Sequence, residues 1–236
     1  MKDNHEKFED HTIVLSDQQT AGRGRFGKSF HSPKNNGIYF SILYKGNRKP
    51  EPEFLTLASA LAVSDVMQSY ELDPRIKWVN DVYLDGLKIS GILTEGEIEL
   101  ETGAMKYLIV GIGLNVNNEE FPDELASIAG SMKGVSRQDY DLNEVLARLL
   151  GSLEQYTSRL IKDNRSEAEH QTSVQEILNA YEKRLLFRGE TVTLSGGNRE
   201  DIKGELLGID DKGHLMIRNE AGITSAVYGE YQLTAR

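Results

Sequence analysis

The chain has 236 residues with 27 Lys+Arg against 37 Asp+Glu, a formal net charge of −10. That balance counts against a general nucleic-acid binder, whose affinity rests on many cationic contacts to phosphates. With 39% hydrophobic and 27% charged residues the chain can bury a core. The absence of Cys excludes disulfides, thiolate catalysis and Cys-ligated metal centres. No apolar run approaches the ~18 residues of a membrane span, and MKDNHEKFED is too polar for a secretory signal. A cytoplasmic globular protein is expected.

Thr12–Leu15 reads as a short buried strand and Ile38–Tyr44 as a second, by their β-branched and aromatic content. From Glu53 the period changes. Phe54, Leu57, Ala58, Leu61 and Ala62 make one apolar helical face running to about Tyr70, and Pro74 follows its end. Arg75–Trp78, Val82–Leu84 and Leu87–Thr94 are strand-like, the last two joined by the hairpin dipeptide Asp85-Gly86. Lys106–Asn115 suits a central strand. Helical stripes follow at Leu142, Val145, Leu146, Leu149, Leu150, Leu153 and Tyr156, then at Val174, Ile177, Leu178 and Tyr181. The leucine stripe spans too few heptads for a dimer zipper and is expected to pack the core. Beyond Leu186, Glu190–Leu194, Ile202–Ile209, His214–Arg218 and Thr224–Tyr228 are short strands between turn signals, which suggests a small β-barrel. The expected organisation is an α+β main domain, residues 1–186, and a C-terminal barrel, residues 187–236.

Between the first two strands lies Gln19-Thr20-Ala21-Gly22-Arg23-Gly24-Arg25-Phe26-Gly27-Lys28-Ser29. Its glycines satisfy G-x-G-x-x-G, and Gly22 with Gly27-Lys28-Ser29 satisfies the P-loop pattern. Both patterns require a following helix whose N-terminus takes the phosphate. No helical period appears before Glu53, so neither reading holds. What remains is a glycine loop carrying Arg23, Arg25 and Lys28, either an anion clamp or a solvated basic loop. A second cluster joins Lys77-Trp78-Val79-Asn80-Asp81 to Gly86-Leu87-Lys88-Ile89-Ser90-Gly91-Ile92-Leu93. Asp81 can hold Mg2+ with few protein ligands, and Lys88, starting an apolar strand, can aim a partly desolvated ammonium at an anion. The alternative is a hairpin with Asn-Asp turn chemistry and a solvent-facing lysine. The five His show no metal spacing, and Glu95, Glu97, Glu99 and Glu101 read as a solvated hairpin.

Together, QQTAGRGRFG, the strand after NNG, KWVND, Lys-x-x-Gly-Ile-Leu, VGIGLNV and the C-terminal module resemble, in order, the motifs of the biotin protein ligases. The resemblance implies a class II synthetase-like catalytic domain with a mixed sheet and an SH3-like barrel. It implies that biotin and ATP, with Mg2+, give biotinyl-5′-AMP, and that biotin then passes to a lysine of a biotin carboxyl carrier domain of acetyl-CoA or pyruvate carboxylase. By resemblance, Arg25 and Lys88 are catalytic. Gln19, Gly22, Arg23, Gly24, Phe30, Trp78 and Gly91 join them in binding biotin and the adenylate. Asn80 and Asn115 bind the nucleotide and Asp81 the metal. Relatives often pair as homodimers through sheet edges; a membrane role is not expected. Nor is DNA binding, since no helix-turn-helix precedes the ligase region.

Three departures matter. Val79 replaces the usual Pro of KWPND, so the turn loses a locked φ. Phe30 stands where a Trp is common. The Ser/Thr-Asn segment that reads the biotin ureido ring in the family is absent before Thr12, so weakened biotin affinity or stability is expected. Two rival readings follow: a catalytically impaired biotin/nucleotide-binding homologue, and a lipoate–protein ligase-like enzyme.

Overall fold

A computed structural model describes residues 1–45, 51–99, 101, 105–160, 166–196, 200–227 and 231–235. One sheet has the order β1-β2-β6-β5-β4-β3. Its strands are β1 (Ile13–Ser16), β2 (Gly37–Lys45), β3 (Arg75–Lys77), β4 (Asp81–Leu84), β5 (Leu87–Ile98) and β6 (Met105–Asn115). Every ladder in it is antiparallel. Among the described residues, parallel pairing is confined to two isolated bridges, Ile76 with Leu185 and Lys88 with Ala129. Asp85 and Gly86 turn between β4 and β5 with φ of 48° and 79°, the left-handed pair that a tight hairpin needs. The acidic run divides: Glu95 and Glu97 lie in β5, which continues past Thr94 to Ile98.

One face of this sheet packs on α1 (Pro52–Gln68), and α1 in turn lies under α3 (Leu142–Leu160) and α4 (Glu167–Lys183). A single apolar face is expected of α1 from its spacing. Instead Leu55, Ala60 and Val63 are buried along with Leu57, Ala58 and Leu61, because helices cover its outer side. The stripe of α3 is core packing, with Val145, Leu149 and Leu153 buried. Helix α4 starts on a capping box in which Ser166 and Glu169 satisfy each other's backbone donors.

The second sheet has the order β10-β9-β8-β7-β11. It comprises β7 (Thr191–Ser195), β8 (Ile202–Ile209), β9 (Leu215–Arg218), β10 (Thr224–Val227) and β11 (Gln232–Ala235). Its antiparallel meander is compatible with an SH3-like module, although no ladder joins β10 to β11 among the described residues. Tyr228, the end of the fourth expected strand, lies outside those residues. The buried residues Val192, Leu194, Leu206, Leu215 and Leu233 belong to the same apolar cluster as the main core. No helix of the described residues is long and apolar enough to cross a membrane.

Short elements escaped the pattern reading. These are β11 and α2 (Met132–Ser136), whose N-terminus is capped by Ser131 Oγ.

Candidate active site

The sheet face away from α1 forms the floor of a cleft of about 670 Å³. Side chains on this face stand in cross-strand rows: Tyr39, Gly113 and Gly91, then Ser41, Gly111 and Leu93. The glycines leave the floor bare. Phe30 lies over the first row, so close that a Cβ on Gly113 would come within 2.5 Å of its ring. Gly111 is open: a Cβ there would meet nothing nearer than Ser41 Oγ at 3.6 Å.

The glycine loop forms one wall. It is a hairpin-like excursion pinned by bridges between Gln19 and Ser32 and between Arg23 and Ser29, with a short 3-10 turn at Arg25–Gly27. The Gly24 amide donates to the Lys28 carbonyl at 2.7 Å, closing the turn. Gly22 sits at the base of the loop. It lies where a Cβ would strike the Phe30 carbonyl at 2.5 Å, so its part is to let the two arms of the loop approach. Ser32 Oγ lies 2.9 Å from Gln19 Oε1 and holds the Gln19 amide in place.

The strand end at Trp78–Asp81 supplies the polar network. Arg25 Nη1 donates to Asn80 Oδ1 at 3.1 Å. Asn80 Nδ2 donates to Asp81 Oδ1 at 3.1 Å and to the Ile92 carbonyl at 2.9 Å. Asp81 Oδ1 also pairs with Lys88 Nζ at 2.7 Å. Buried Asn80 therefore links the two cationic arms, Arg25 and Lys88, through one carboxylate. Lys88 reaches this position by passing over Gly91, 3.3 Å from where a Cβ would stand. Arg23, Lys28 and Lys77 line the same cleft. Burial, reinforced by Lys88 and Lys28, lowers the Lys77 ammonium below its ordinary value, although Asp81 opposes the shift. Burial beside the Asp81 carboxylate pushes the Tyr83 phenol up to about 12.

The Val79 turn is held without proline. Its peptide with Trp78 is cis, and the Tyr181 hydroxyl donates to the Val79 carbonyl at 3.1 Å. Trp78 Nε1 donates to the Gly213 carbonyl, in the turn between β8 and β9, at 2.9 Å. At the far end of β6, Asn115 is 4% exposed. Its Nδ2 donates to the Gly130 carbonyl at 3.0 Å, while buried Oδ1 has no partner among the described residues.

The cleft thus gathers Gln19, Arg23, Gly24, Arg25, Phe30, Trp78, Asn80, Asp81, Lys88, Gly91 and Asn115 from segments far apart in sequence. Ser41, Gly111 and Lys77 also line it, from segments the sequence singles out without giving these residues a role, as do residues 231–234 at β11, which no motif covers. Glycines two apart in VGIGLN were the available signal for the bare floor, since a strand alternates faces. The contribution of β11 left no local signal. For a metal, Asp81 offers one carboxylate whose Oδ1 is already paired, and no group of three or more His, Asp or Glu gathers among the described residues.

The chain is similar to known proteins over most of its length. The model of the biotin/lipoate A/B protein ligase family matches residues 1–115. The chain is 32% identical over 227 residues to the bifunctional ligase/repressor BirA of Bacillus spizizenii, covering 94% of this chain and 66% of that protein. It therefore spans just under two thirds of that relative's length. It is 29% identical to the biotin–[acetyl-CoA-carboxylase] ligase of Mycobacterium tuberculosis, covering 88% of this chain and 73% of that one. A solved structure of the biotin protein ligase from Aquifex aeolicus in complex with biotin and ATP matches with a TM-score of 0.83 and 31% identity, over 97% of this chain and 91% of that chain.

Proposed function

Since the chain belongs to the biotin protein ligases of the biotin/lipoate A/B protein ligase family, we propose that it activates biotin with ATP and transfers it to a carrier-domain lysine. The observation that carries this reading is the Arg25–Asn80–Asp81–Lys88 network, set in one cleft with Arg23, Lys28 and Lys77. A carboxylate attacking the α-phosphate of ATP brings two anions together, and their repulsion must be offset before they can react. Convergent cations on a bare floor do that, by charge and by alignment.

In the first step a biotin carboxylate oxygen bonds to the α-phosphorus and the bond to the β-phosphate bridging oxygen breaks, releasing pyrophosphate. Arg25 and Lys88 are the groups placed to neutralise the carboxylate and phosphate. Arg23 sits on the loop that covers them, while Gln19, Phe30 and Gly91 border the biotin arm. Asn115 Oδ1, buried and without a partner among the described residues, suits an amino donor such as that of adenine. In the second step the carrier lysine amine attacks the acyl carbon and AMP leaves; no covalent enzyme intermediate is needed. Asp81 could give Mg2+ one oxygen, the rest of the shell coming from phosphates and water, which is ordinary for this ion. Its effect when bound would be charge neutralisation on the phosphates. The acceptor would be a biotin carboxyl carrier domain, the setting the cytoplasm, and the working units residues 1–186 and 187–236. A second copy of the chain could pair along the open edge of β1. No repressor role is part of this reading.

The test is biotin-dependent exchange of labelled pyrophosphate into ATP. The wild-type chain should exchange with biotin and not with lipoate. Arg25→Gln and Lys88→Gln should each lower the rate by about 10²–10³, the range for removing one preorganised charge donor. Absence of exchange by the wild type would favour a binding-only homologue, and exchange with lipoate the lipoate branch.

A further inference from the structure

Residues 78–80 close the hairpin between β3 and β4, outside the ladder that ends at the pair Lys77 and Asp81. The polar network of the cleft hangs on this turn, because Asn80 joins Arg25 to Asp81 from it. Ladder bonds do not fix the turn; three other elements tether it, one to each residue. The Trp78 indole is held by the Gly213 carbonyl, and the Asn80 carbonyl by the Ile92 amide at 2.9 Å. Between them the Val79 carbonyl takes the Tyr181 hydroxyl at 3.1 Å.

Tyr181 is well fixed for that contact. It is fully buried near the end of α4, where close packing holds a side chain in one rotamer. The chain just beyond it is clamped to β3, the strand that leads into the turn. There the Ile76 amide donates to the Arg184 carbonyl at 2.7 Å, and the Leu186 amide to the Ile76 carbonyl at 2.8 Å. Burial, with the Asp81 carboxylate near, holds the phenol well above its ordinary value, so it stays a proton donor. The Val79 carbonyl and the Asn80 amide share one planar peptide unit, so fixing the first orients the second. Resting on the biotin-ligase reading above, we propose that Tyr181 is a positioning residue for the adenylation step. Through the Val79 carbonyl it orients Asn80, and Asn80 holds Arg25 and, by way of Asp81, Lys88. A determinant of the rate thus lies on α4, 102 residues beyond the turn it acts on and outside both sequence motifs. A displacement of about 1 Å in such a group can cost about 10²-fold.

A single turnover of biotinyl-adenylate formation by the full chain, followed by rapid quench, tests this. Its rate reports alignment and its amplitude the active fraction. Tyr181→Phe keeps the ring and loses only the hydroxyl. It should lower the rate at least tenfold, with unchanged amplitude and with apparent affinities for biotin and ATP within twofold of the wild type. In an Asn80→Ala background the same change should alter the rate less than twofold, because the group it acts through is gone. If Tyr181→Phe keeps the wild-type rate, or loses amplitude alone, the assignment is overturned while the ligase reading stands. Equal losses of rate in the two backgrounds overturn it as well. If the wild type forms no adenylate, both are overturned.

Discussion

Gly111 and Gly113 point to the same side of β6, yet the space above them differs. A methyl group at 113 meets the Phe30 ring at 2.5 Å, whereas at 111 it enters open cleft. Gly113→Ala is expected to displace Phe30 and cost about 1–3 kcal/mol, the usual range for overpacking. Gly111→Ala should leave the urea midpoint unchanged. Equal midpoints for the two variants would contradict this account of the floor. Lys77 supplies a second expectation. Burial lowers its ammonium pKa below the ordinary 10.5 in the folded chain, so the unfolded chain holds that proton more tightly. The penalty is complete below the folded pKa and fades as pH climbs toward the ordinary lysine value. Lys77→Met should thus raise the melting temperature at neutral pH, with the gain shrinking in alkali. Melts at the two pH values check it. The glycine and lysine types were plain in the sequence; which glycines face a ring, a carbonyl or empty space was not. Gly22 shows the gap. It opens a phosphate-loop string, yet a Cβ there would strike the Phe30 carbonyl, so the close approach of the two loop arms is what its bareness allows.

One carboxylate touches all three parts of the helical layer. Asp65 on α1 takes Arg184 Nη2, just beyond α4, at 2.7 Å and the Tyr156 hydroxyl of α3 at 2.8 Å. Removing it strands a half-buried guanidinium and a phenol that burial has already pushed up to about 12. Asp65→Ala should cost about 2–3 kcal/mol by chemical denaturation, below the cost of breaking a fully buried pair because Asp65 keeps some solvent contact. Tyr156→Phe should cost about 1 kcal/mol. At this scale long periodic segments were legible. The stripes of α3 and α4 and the alternation of β8 state their elements directly. Helix α1 was legible as a helix but not as a three-sided core element, since burial depends on what packs behind it. Strand β11 has four residues, too few for a period, and its pairing with β7 spans a long stretch of chain.

Across the whole molecule, charge and apolar surface are unevenly spread. A chain of net −10 concentrates Arg23, Arg25, Lys28, Lys77 and Lys88 in one cleft, which the total charge conceals. Strand β1 ends the main sheet, and Ile13, Val14 and Leu15 are 42%, 42% and 53% exposed there. An apolar open edge is a template for pairing with another strand. Self-association in light scattering should therefore rise with concentration and fall in Val14→Lys; an unchanged mass in that variant would remove β1 from the contact.

Trp78 stands between the two sheets, its indole bonded to Gly213 and its ring on the cleft wall. It is also the chain's single tryptophan. Its fluorescence is consequently a built-in gauge free of competing emitters of its kind. A shift in its emission reports a ligand entering the cleft, and a red shift in mild denaturant reports the second sheet parting from the first, both without a label.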